Sequence, residues 1–330
     1  MPKLIDKFGR EINYLRISVT DRCNLRCIYC MPQEGIEHKP QHEILSFEEI
    51  FRIAKVSVGL GIQKIRITGG EPLVRKGLPL LIERLKGIPG INEVGLTTNG
   101  VYLVNYAHYL RNVGLDMINV SLDTLIPERF KKITRGGDLK SVLDGIEAAL
   151  SAGFCGLKIN MVLLRGFNTD EVLDFAELAS MRPVEVRFIE YMPTDISRSY
   201  LGNPFFSCKE AEDICGALGR LIPEADGLLG TSRVFRIEGF RGRVGFISPI
   251  SRPFCSRCNK LRLTSDGFLR SCLHSSKSVN LKEAMEKGAQ DEELSELIKE
   301  AAVLKPQSHR LNDRPIRLES ENFSMCQIGG

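Results

Sequence analysis

The sequence carries little excess charge of either sign. Its 330 residues include 45 Lys and Arg against 41 Asp and Glu, which gives a formal net charge of +4. Proteins that bind nucleic acids usually show a strongly basic domain or stripe, so this balance disfavours a nucleic-acid partner. It is compatible with a small acidic ligand that a few well-placed cations hold.

Long apolar runs are also missing. No segment reaches the roughly 20 apolar residues that cross a bilayer, and the first residues, MPKLIDKFGREINY, lack the apolar core of a signal peptide. We therefore expect a cytoplasmic protein with no membrane partner. Hydrophobic residues make up 43% and charged residues 26% of the chain, which is typical of a globular protein with a sizeable core.

A fourth cysteine is absent from the first cysteine cluster. Cys23, Cys27 and Cys30 stand in DRCNLRCIYC, and no His lies closer to Cys30 than His38. Three thiolates fill three irons of a four-iron cubane and leave one iron open to a ligand, whereas electron-carrying clusters normally use four cysteines. The alternatives are zinc, which requires four ligands, and a redox pair of Cys27 and Cys30, which does not require Cys23.

A second group of three cysteines occurs near the C-terminus. Cys255, Cys258 and Cys272 stand in PFCSRCNKLRLTSDGFLRSCL. With His274 they would complete a structural zinc site on a hairpin. From the spacing alone, zinc and a second iron–sulfur cluster are equally supported.

Apolar runs alternate with amphipathic stretches over the first 195 residues. Ser46 is a predicted N-cap, and Glu49 completes a capping box. Six strand-like runs separated by helical segments favour an α/β fold, an incomplete parallel (βα)6 barrel of the TIM type. These runs span residues 14–19, 64–68, 93–98, 117–122, 156–164 and 184–192.

The pattern changes after about residue 192. Residues 194–207 read as a polar loop, residues 233–250 as two strands joined by a Gly-containing turn, and residues 260–272 as a hairpin around Asp266 and Gly267. Helices follow, and the last 17 residues show no period. We therefore predict a barrel domain over residues 1–195 and a smaller β-rich cap over residues 196–330.

The first cluster resembles the signature of radical S-adenosylmethionine (SAM) enzymes. The spacing is C-x3-C-x2-C with Tyr29 before the last cysteine, and TGGEP (residues 68–72) follows the second strand. The resemblance implies a 4Fe–4S cluster on Cys23, Cys27 and Cys30 whose open iron binds SAM, and cleavage of SAM to a 5′-deoxyadenosyl radical. It implies SAM contacts at Tyr29, Gly70, Ser121 and Met192.

Nearly the whole chain is similar to the GTP 3′,8-cyclase family of molybdenum-cofactor biosynthesis. The matching segments run from LRISVTDRCNLRCIYCMP to the terminal IGG, through KIRITGGEPL, GLTTNG, INVSLD, RFIEYM and FCSRCNKLRLTSDG. The resemblance implies cyclisation of GTP to 3′,8-cyclo-7,8-dihydro-GTP. It also implies a second 4Fe–4S cluster on Cys255, Cys258 and Cys272 that contacts the guanine, and a role in turnover for Arg262 and for the terminal Gly329 and Gly330.

Several cations stand inside otherwise apolar strands. Lys64 and Arg66 share one face because side chains alternate along a strand. Such residues can point outward or pair with carboxylates, but several at equivalent depth favour an internal anion site, for which arginine is well suited. The resemblance implies GTP contacts at Arg16, Lys64, Arg66, Thr97, Lys158, Arg187, Lys260 and Arg262. Lys260 stands where the family usually has Arg, so the charge is kept and one guanidinium is lost.

The resemblance also implies partners for the reaction. These are GTP as substrate, a flavodoxin- or ferredoxin-like electron donor and a downstream cyclic pyranopterin monophosphate synthase; we expect a monomer or a homodimer. Two alternatives remain: another radical SAM enzyme with an auxiliary cluster, such as a peptide maturase, and a zinc-bearing binding module. No role is assigned to the remaining cysteines, Cys155, Cys208, Cys215 and Cys326.

Overall fold

The computed structural model describes residues 3–194, 197, 201–224, 231–309, 311 and 325–328. Within these residues the strands are β1 (Tyr14–Ser18), β2 (Lys64–Thr68), β3 (Glu93–Thr98), β4 (Met117–Ser121), β5 (Lys158–Leu163), β6 (Glu185–Glu190), β7 (Leu221–Pro223), β8 (Arg233–Ile237), β9 (Arg243–Ile247), β10 (Lys260–Leu263), β11 (Phe268–Arg270) and β12 (Ser278–Asn280). The helices are α1 (Phe47–Gly59), α2 (Leu78–Lys86), α3 (Leu103–Asn112), α4 (Pro127–Thr134), α5 (Leu139–Ser151), α6 (Val172–Met181), α7 (Cys208–Cys215), α8 (Leu281–Glu286), α9 (Asp291–Val303) and α10 (Met325–Ile328).

The strands named above form one mixed sheet, in the order β12-β11-β10-β1-β2-β3-β4-β5-β6-β9-β8-β7. From β10 to β9 the neighbours are parallel, and the pairs at both ends are antiparallel. The six predicted strands are all present, shortened by a residue or two at some ends. The C-terminal strands continue the same sheet at both edges, which the sequence did not indicate.

Strand alternation separates a core face from a polar face. In β1, Leu15 and Ile17 are buried in the main hydrophobic cluster, whereas Tyr14 and Arg16 line a cavity. β2 repeats this arrangement with Ile65 and Ile67 in the core and with cations on the other face. The period of two residues that predicted the strands therefore also predicts which side chains face the site.

The predicted start of α1 is confirmed. The Ser46 side chain accepts a hydrogen bond from the Glu49 N–H (3.1 Å), and a Glu49 carboxylate oxygen accepts one from the Ser46 N–H (2.6 Å). The reciprocal pair satisfies two backbone donors that a helix N-terminus leaves without intrahelical partners. It fixes where α1 begins, directly before the buried Ile50 and Ile53.

Both predicted hairpins of the C-terminal part are also present. β10 and β11 are antiparallel across a turn in which Gly267 has φ +89°, and β8 pairs with β9 across a turn that contains Gly239, φ +81°. Left-handed backbone of this kind favours glycine. α10 was not predicted, because residues 314–330 show no period.

Two predictions concern segments that the structure describes only in part. The polar loop predicted over residues 194–207 lies partly outside the described residues, and so does the predicted domain boundary near residue 195, which stays a prediction. No helix in the described ranges is long and apolar enough to span a bilayer.

Candidate active site

A cavity of about 810 Å³ lies on the polar face of the sheet. It is lined by side chains from β1 to β6, from the loop after β1 and from the C-terminal strands. The predicted site residues that line it are Cys23, Cys27 and Cys30, then Tyr29, Gly70, Ser121 and Met192, and finally Arg16, Lys64, Arg66, Thr97, Lys158, Arg187, Lys260 and Arg262. The residues that were predicted separately for the first cluster, for SAM and for GTP therefore line one cavity.

The cavity wall does not include the predicted C-terminal cysteines, and the last two residues are not described. Cys255, Cys258 and Cys272 are not among the lining residues, although Arg257, Lys260 and Leu273 are. Gly329 and Gly330 lie outside the described residues. Met325 and Cys326 do line the cavity, so the described end of the tail already reaches it.

The loop that carries the first three cysteines is fastened to the end of α4. The Arg26 N–H donates to Thr134 O (3.0 Å) and the Ile28 N–H to Ile133 O (2.9 Å). Arg135, which has φ +55°, donates from its guanidinium to Met31 O (2.8 Å). These bonds fix a loop that has no regular secondary structure of its own.

Gly70 allows the turn after β2 to lie directly against this loop. A Cβ at Gly70 would stand 2.3 Å from Arg22 O, which is far inside van der Waals contact. The Gly70 N–H donates to Thr20 O (2.7 Å), and the Glu71 N–H donates to Arg22 O (2.8 Å). The turn and the cysteine loop are thus held together by backbone hydrogen bonds.

Glu71 joins the ends of β2 and β3. Its buried carboxylate accepts hydrogen bonds from the Thr98 hydroxyl (2.8 Å), the Asn99 N–H (2.7 Å) and the Leu73 N–H (3.0 Å). Burial raises the pKa of Glu71 to about 7 in spite of these bonds. Sequence reasoning assigned no role to Glu71, although its place in TGGEP is a signal that was available.

Tyr29 is held by Asp123 from the loop after β4. The Tyr29 hydroxyl donates to Asp123 Oδ2 (2.6 Å), and Asp123 Oδ1 accepts from the Val162 N–H (2.9 Å). Burial raises the pKa of the Asp123 carboxyl to about 6. The last turn of the cysteine loop is thereby positioned over the ends of β4 and β5.

The first three cysteines are free thiols and are compatible with a 4Fe–4S cluster. All ten cysteines of the chain lie within the described residues and none forms a disulfide. In that part of the chain, no three His, Cys, Asp or Glu side chains converge closely enough to hold one metal ion. Zinc requires such convergence, whereas a cubane takes each thiolate on a different iron.

Three arginines stand side by side on neighbouring strands. The register pairs Arg262 of β10 with Arg16 of β1, and Arg16 with Arg66 of β2. The next position, on β3, is Gly95, where a Cβ would lie 2.4 Å from the Arg66 guanidinium carbon. Burial and the adjacent Arg262 lower the pKa of Arg16 to about 9, as expected where like charges are crowded.

Carboxylates and amides hold some of these cations. Arg66 donates to Tyr14 Oη (3.0 Å), Asn119 Oδ1 (3.2 Å) and Glu93 Oε1 (3.1 Å). Lys64 also lies near Glu93, with Nζ 3.5 Å from Oε2. Arg66 is therefore fixed from three sides before any ligand binds.

A second group of cations lies on β5 and β6. Arg187 donates to the Glu185 carboxylate. Burial and the nearby Arg187 lower the pKa of Lys158 to about 8. In the described residues no carboxylate lies within ion-pair distance of the Lys158 ammonium, so it is available to an anion.

Tyr14 connects the cations of β1 and β2 with Lys260 of β10. The Lys260 ammonium lies 5.6 Å from the centre of the Tyr14 ring. Burial acts to raise the pKa of Tyr14, but Arg66, Arg16 and Lys260 outweigh it and lower this pKa to about 7. Burial lowers the pKa of Lys260 to about 8. Tyr14 was missed, although it lies two residues before Arg16 on the same face.

Three buried polar atoms in the cavity wall have no hydrogen-bond partner among the described residues. They are Thr97 Oγ1, Asn160 Oδ1 and Ser232 Oγ. Buried polar groups in folded proteins are nearly always hydrogen-bonded. These atoms therefore mark positions where a polar ligand would complete the wall, and only Thr97 was predicted.

The second set of cysteines lies around the β10–β11 hairpin. Cys255 begins a 3₁₀ turn that ends with a bond from the Cys258 N–H to Cys255 O (3.1 Å), and Cys272 follows β11. Burial acts to raise the pKa of Cys258, but Lys305 and Lys260 outweigh it and lower this pKa below its usual value. Burial raises the pKa of Cys255, so the nearby lysines favour the thiolate, the form that binds metals, at Cys258 and not at Cys255.

Comparison with known proteins decides the family. The Radical SAM superfamily model matches residues 17–179, and the Molybdenum Cofactor Synthesis C model matches residues 184–311. A GTP 3′,8-cyclase of Pelotomaculum thermopropionicum is 47% identical over 98% of this chain and 99% of its own length, and one of Moorella thermoacetica is 46% identical over the same shares. The chain belongs to the GTP 3′,8-cyclase family. Membership confirms the predicted class, a radical SAM enzyme with a 4Fe–4S cluster and SAM.

Solved structures show the same fold at low identity. Streptococcus suis SuiB bound to S-adenosylmethionine superposes with a TM-score of 0.59 and 14% identity, over 88% of this chain and 69% of that chain. The predicted radical SAM barrel is thereby confirmed. The zinc-bearing binding module, one of the two alternatives left open by the sequence, does not agree with family membership.

We expect Gly70→Ala to weaken the first cluster site. The added Cβ would collide with Arg22 O, and overpacking of this kind costs about 1–3 kcal/mol. Iron bound by the first three cysteines should fall, together with the thermal unfolding temperature. Gly59→Ala, where a Cβ would meet nothing within 4 Å, is the matched control. Wild-type iron content in Gly70→Ala would contradict this account.

Proposed function

We propose that this chain is a GTP 3′,8-cyclase, which converts GTP to 3′,8-cyclo-7,8-dihydro-GTP in the first step of molybdenum-cofactor biosynthesis. The observation that carries the proposal is the shared cavity, since the first cysteine loop and the row formed by Arg262, Arg16 and Arg66 line the same space. A triphosphate held by this row would lie within reach of chemistry at the cysteine loop. The 44–47% identity to curated GTP 3′,8-cyclases supports the same substrate.

The first cysteine loop would hold the radical source. Cys23, Cys27 and Cys30 would bind a 4Fe–4S cluster, and Tyr29, Gly70, Ser121 and Met192 would contact SAM. When bound, these groups would supply a 5′-deoxyadenosyl radical to take H3′ from the ribose as 5′-deoxyadenosine forms. The product would then require a bond between C3′ and C8 of the guanine, one electron from the proposed reductant and one proton.

The cations of the cavity wall would hold the triphosphate. Arg16, Lys64, Arg66, Lys158, Arg187, Lys260 and Arg262 surround the cavity, and buried phosphate charge requires such partners. Arg66 and Arg187 are oriented by Glu93 and Glu185, so their positions are set in advance. Thr97 would contact the nucleotide through its unpaired hydroxyl.

The second group of cysteines would hold a second 4Fe–4S cluster that orients the guanine. Its neighbours Lys260 and Arg262 alternate with Leu261 and line the cavity, which links the cysteines to the substrate. We propose in addition that Gly329 and Gly330 are needed for turnover, since α10 brings the tail to the cavity wall. A flavodoxin- or ferredoxin-like reductant, a downstream cyclic pyranopterin monophosphate synthase, a cytoplasmic location and a monomer or homodimer complete the proposal.

Metal analysis tests the second cluster. Anaerobically purified protein should contain about eight irons and matching sulfide, and Cys255→Ala, Cys258→Ala and Cys272→Ala together should leave about four. Cys155→Ala, which replaces an exposed cysteine, is the control. About four irons and one zinc in the unchanged protein would reduce this site to a structural one.

Arg262→Ala should impair GTP use more than SAM cleavage in the absence of GTP. Loss of a charged hydrogen-bond donor to phosphate should reduce GTP turnover by about 10- to 100-fold, while uncoupled formation of 5′-deoxyadenosine remains. Arg236→Ala, at an exposed position of β8, is the control. Equal loss of both reactions would rule out a substrate role for Arg262.

GTP binding should weaken as the pH rises from 7 to 9. Lys158, with a pKa of about 8, loses its charge over this range, and a bound triphosphate would favour the protonated form. Affinity should fall by up to about tenfold, and binding should take up protons, both measurable by titration calorimetry in two buffers. Lys158→Arg should flatten the fall and Lys55→Arg should not; parallel pH curves for wild type and Lys158→Arg would exclude Lys158.

A further inference from the structure

Lys305, just after α9, is buried against the second set of cysteines. It is only 2% exposed. Its ammonium donates to Lys260 O (2.8 Å) and to Ser271 O (2.7 Å). Two backbone carbonyls thus hold one cation, which lies close enough to Cys258 to lower the pKa of that thiol.

The two carbonyls belong to the two segments that carry the cysteines. Lys260 lies two residues after Cys258, and Ser271 directly precedes Cys272. A single side chain therefore ties together both sides of the β10–β11 hairpin and sets the spacing between two of the three thiols.

The charge of Lys305 is not neutralised by a carboxylate. Over the described ranges, no Asp or Glu forms an ion pair with it. Arg10 provides a contrast, since it is also buried and donates to Cys255 O (2.6 Å) but is paired with Asp6 (2.6 Å). An unpaired buried ammonium is highly unfavourable. Among the described residues, the acidic group that Lys305 acts on is the Cys258 thiol, whose pKa it lowers.

We propose that Lys305 is the charge partner and positioning residue of the second cysteine site, and that its ammonium favours the reduced state of the iron–sulfur cluster held there. This inference rests on the proposed function, because it requires the second cluster. Net charge and hydrogen bonds to the sulfurs set the potentials of such clusters. A cation held between the segments that carry Cys258 and Cys272 would stabilise the added electron.

The test uses the full chain with Cys23→Ala, Cys27→Ala and Cys30→Ala, so that only the second site is loaded. Lys305→Met removes charge and donors, Lys305→Gln keeps a donor without charge, and Lys305→Arg keeps the charge. Arg10→Gln is the matched control. Iron content and a redox titration followed by electron paramagnetic resonance are measured on each variant.

We expect about four irons in the background protein. Lys305→Met and Lys305→Gln should lower the reduced-to-oxidised ratio at fixed potential about tenfold, which corresponds to about 59 mV for one electron. Lys305→Arg and Arg10→Gln should change the reduced-to-oxidised ratio much less. Loss of iron in Lys305→Met and Lys305→Gln, with iron retained in Lys305→Arg, would also support the role of charge.

Other outcomes overturn the inference in distinguishable ways. An unchanged potential in iron-loaded Lys305→Met and Lys305→Gln, or loss of iron in all three Lys305 variants, would refute the charge role and leave the proposed function intact. No iron in the background protein would refute the second cluster and with it this inference, whereas the proposed function is tested separately by GTP turnover in the unchanged protein.

Discussion

Parallel hydrogen bonding between β1 and β10 is the constraint on which the site depends. It aligns Arg16 with Arg262 and Tyr14 with Lys260, so that cations from the two ends of the chain stand in one row. The same pairing places the hairpin with Cys255, Cys258 and Cys272 beside the strand that leads into Cys23. Without it, Lys260 and Arg262 would not line the same cavity as the first cysteine loop.

Charge inside this cavity is arranged before any ligand arrives. Arg66 is fixed by Tyr14, Glu93 and Asn119, and Arg187 is held by Glu185. Burial and like charges lower the pKa of Arg16 and of Lys158. A bound anion such as the triphosphate of the proposed substrate would relieve this unfavourable charge, as in preorganised electrostatic sites.

Local features of the chain were predictable, and features that depend on distant contacts were not. Alternation predicted β1 to β6 and a shared face for Lys64 and Arg66, and that face lines the cavity. The cluster on Cys23, Cys27 and Cys30 stays a prediction. The pairing of β10 with β1 has no local signal. The sequence around Lys305 also gives no local signal of its partners on the β10–β11 hairpin. The same holds for the backbone contact that requires a glycine at Gly70. α10 was missed because its sequence shows no helical period, so only its packing defines it.

The strand order has a consequence for how the protein is made. During synthesis β1 leaves the ribosome early, and one of its edges stays without a partner until residues 260–263 have emerged. An open strand edge is a template for wrong pairing, so the unfinished chain is vulnerable over most of its translation. The same delay means that the part of the cavity wall formed by Lys260 and Arg262 is added only after most of the chain has been made.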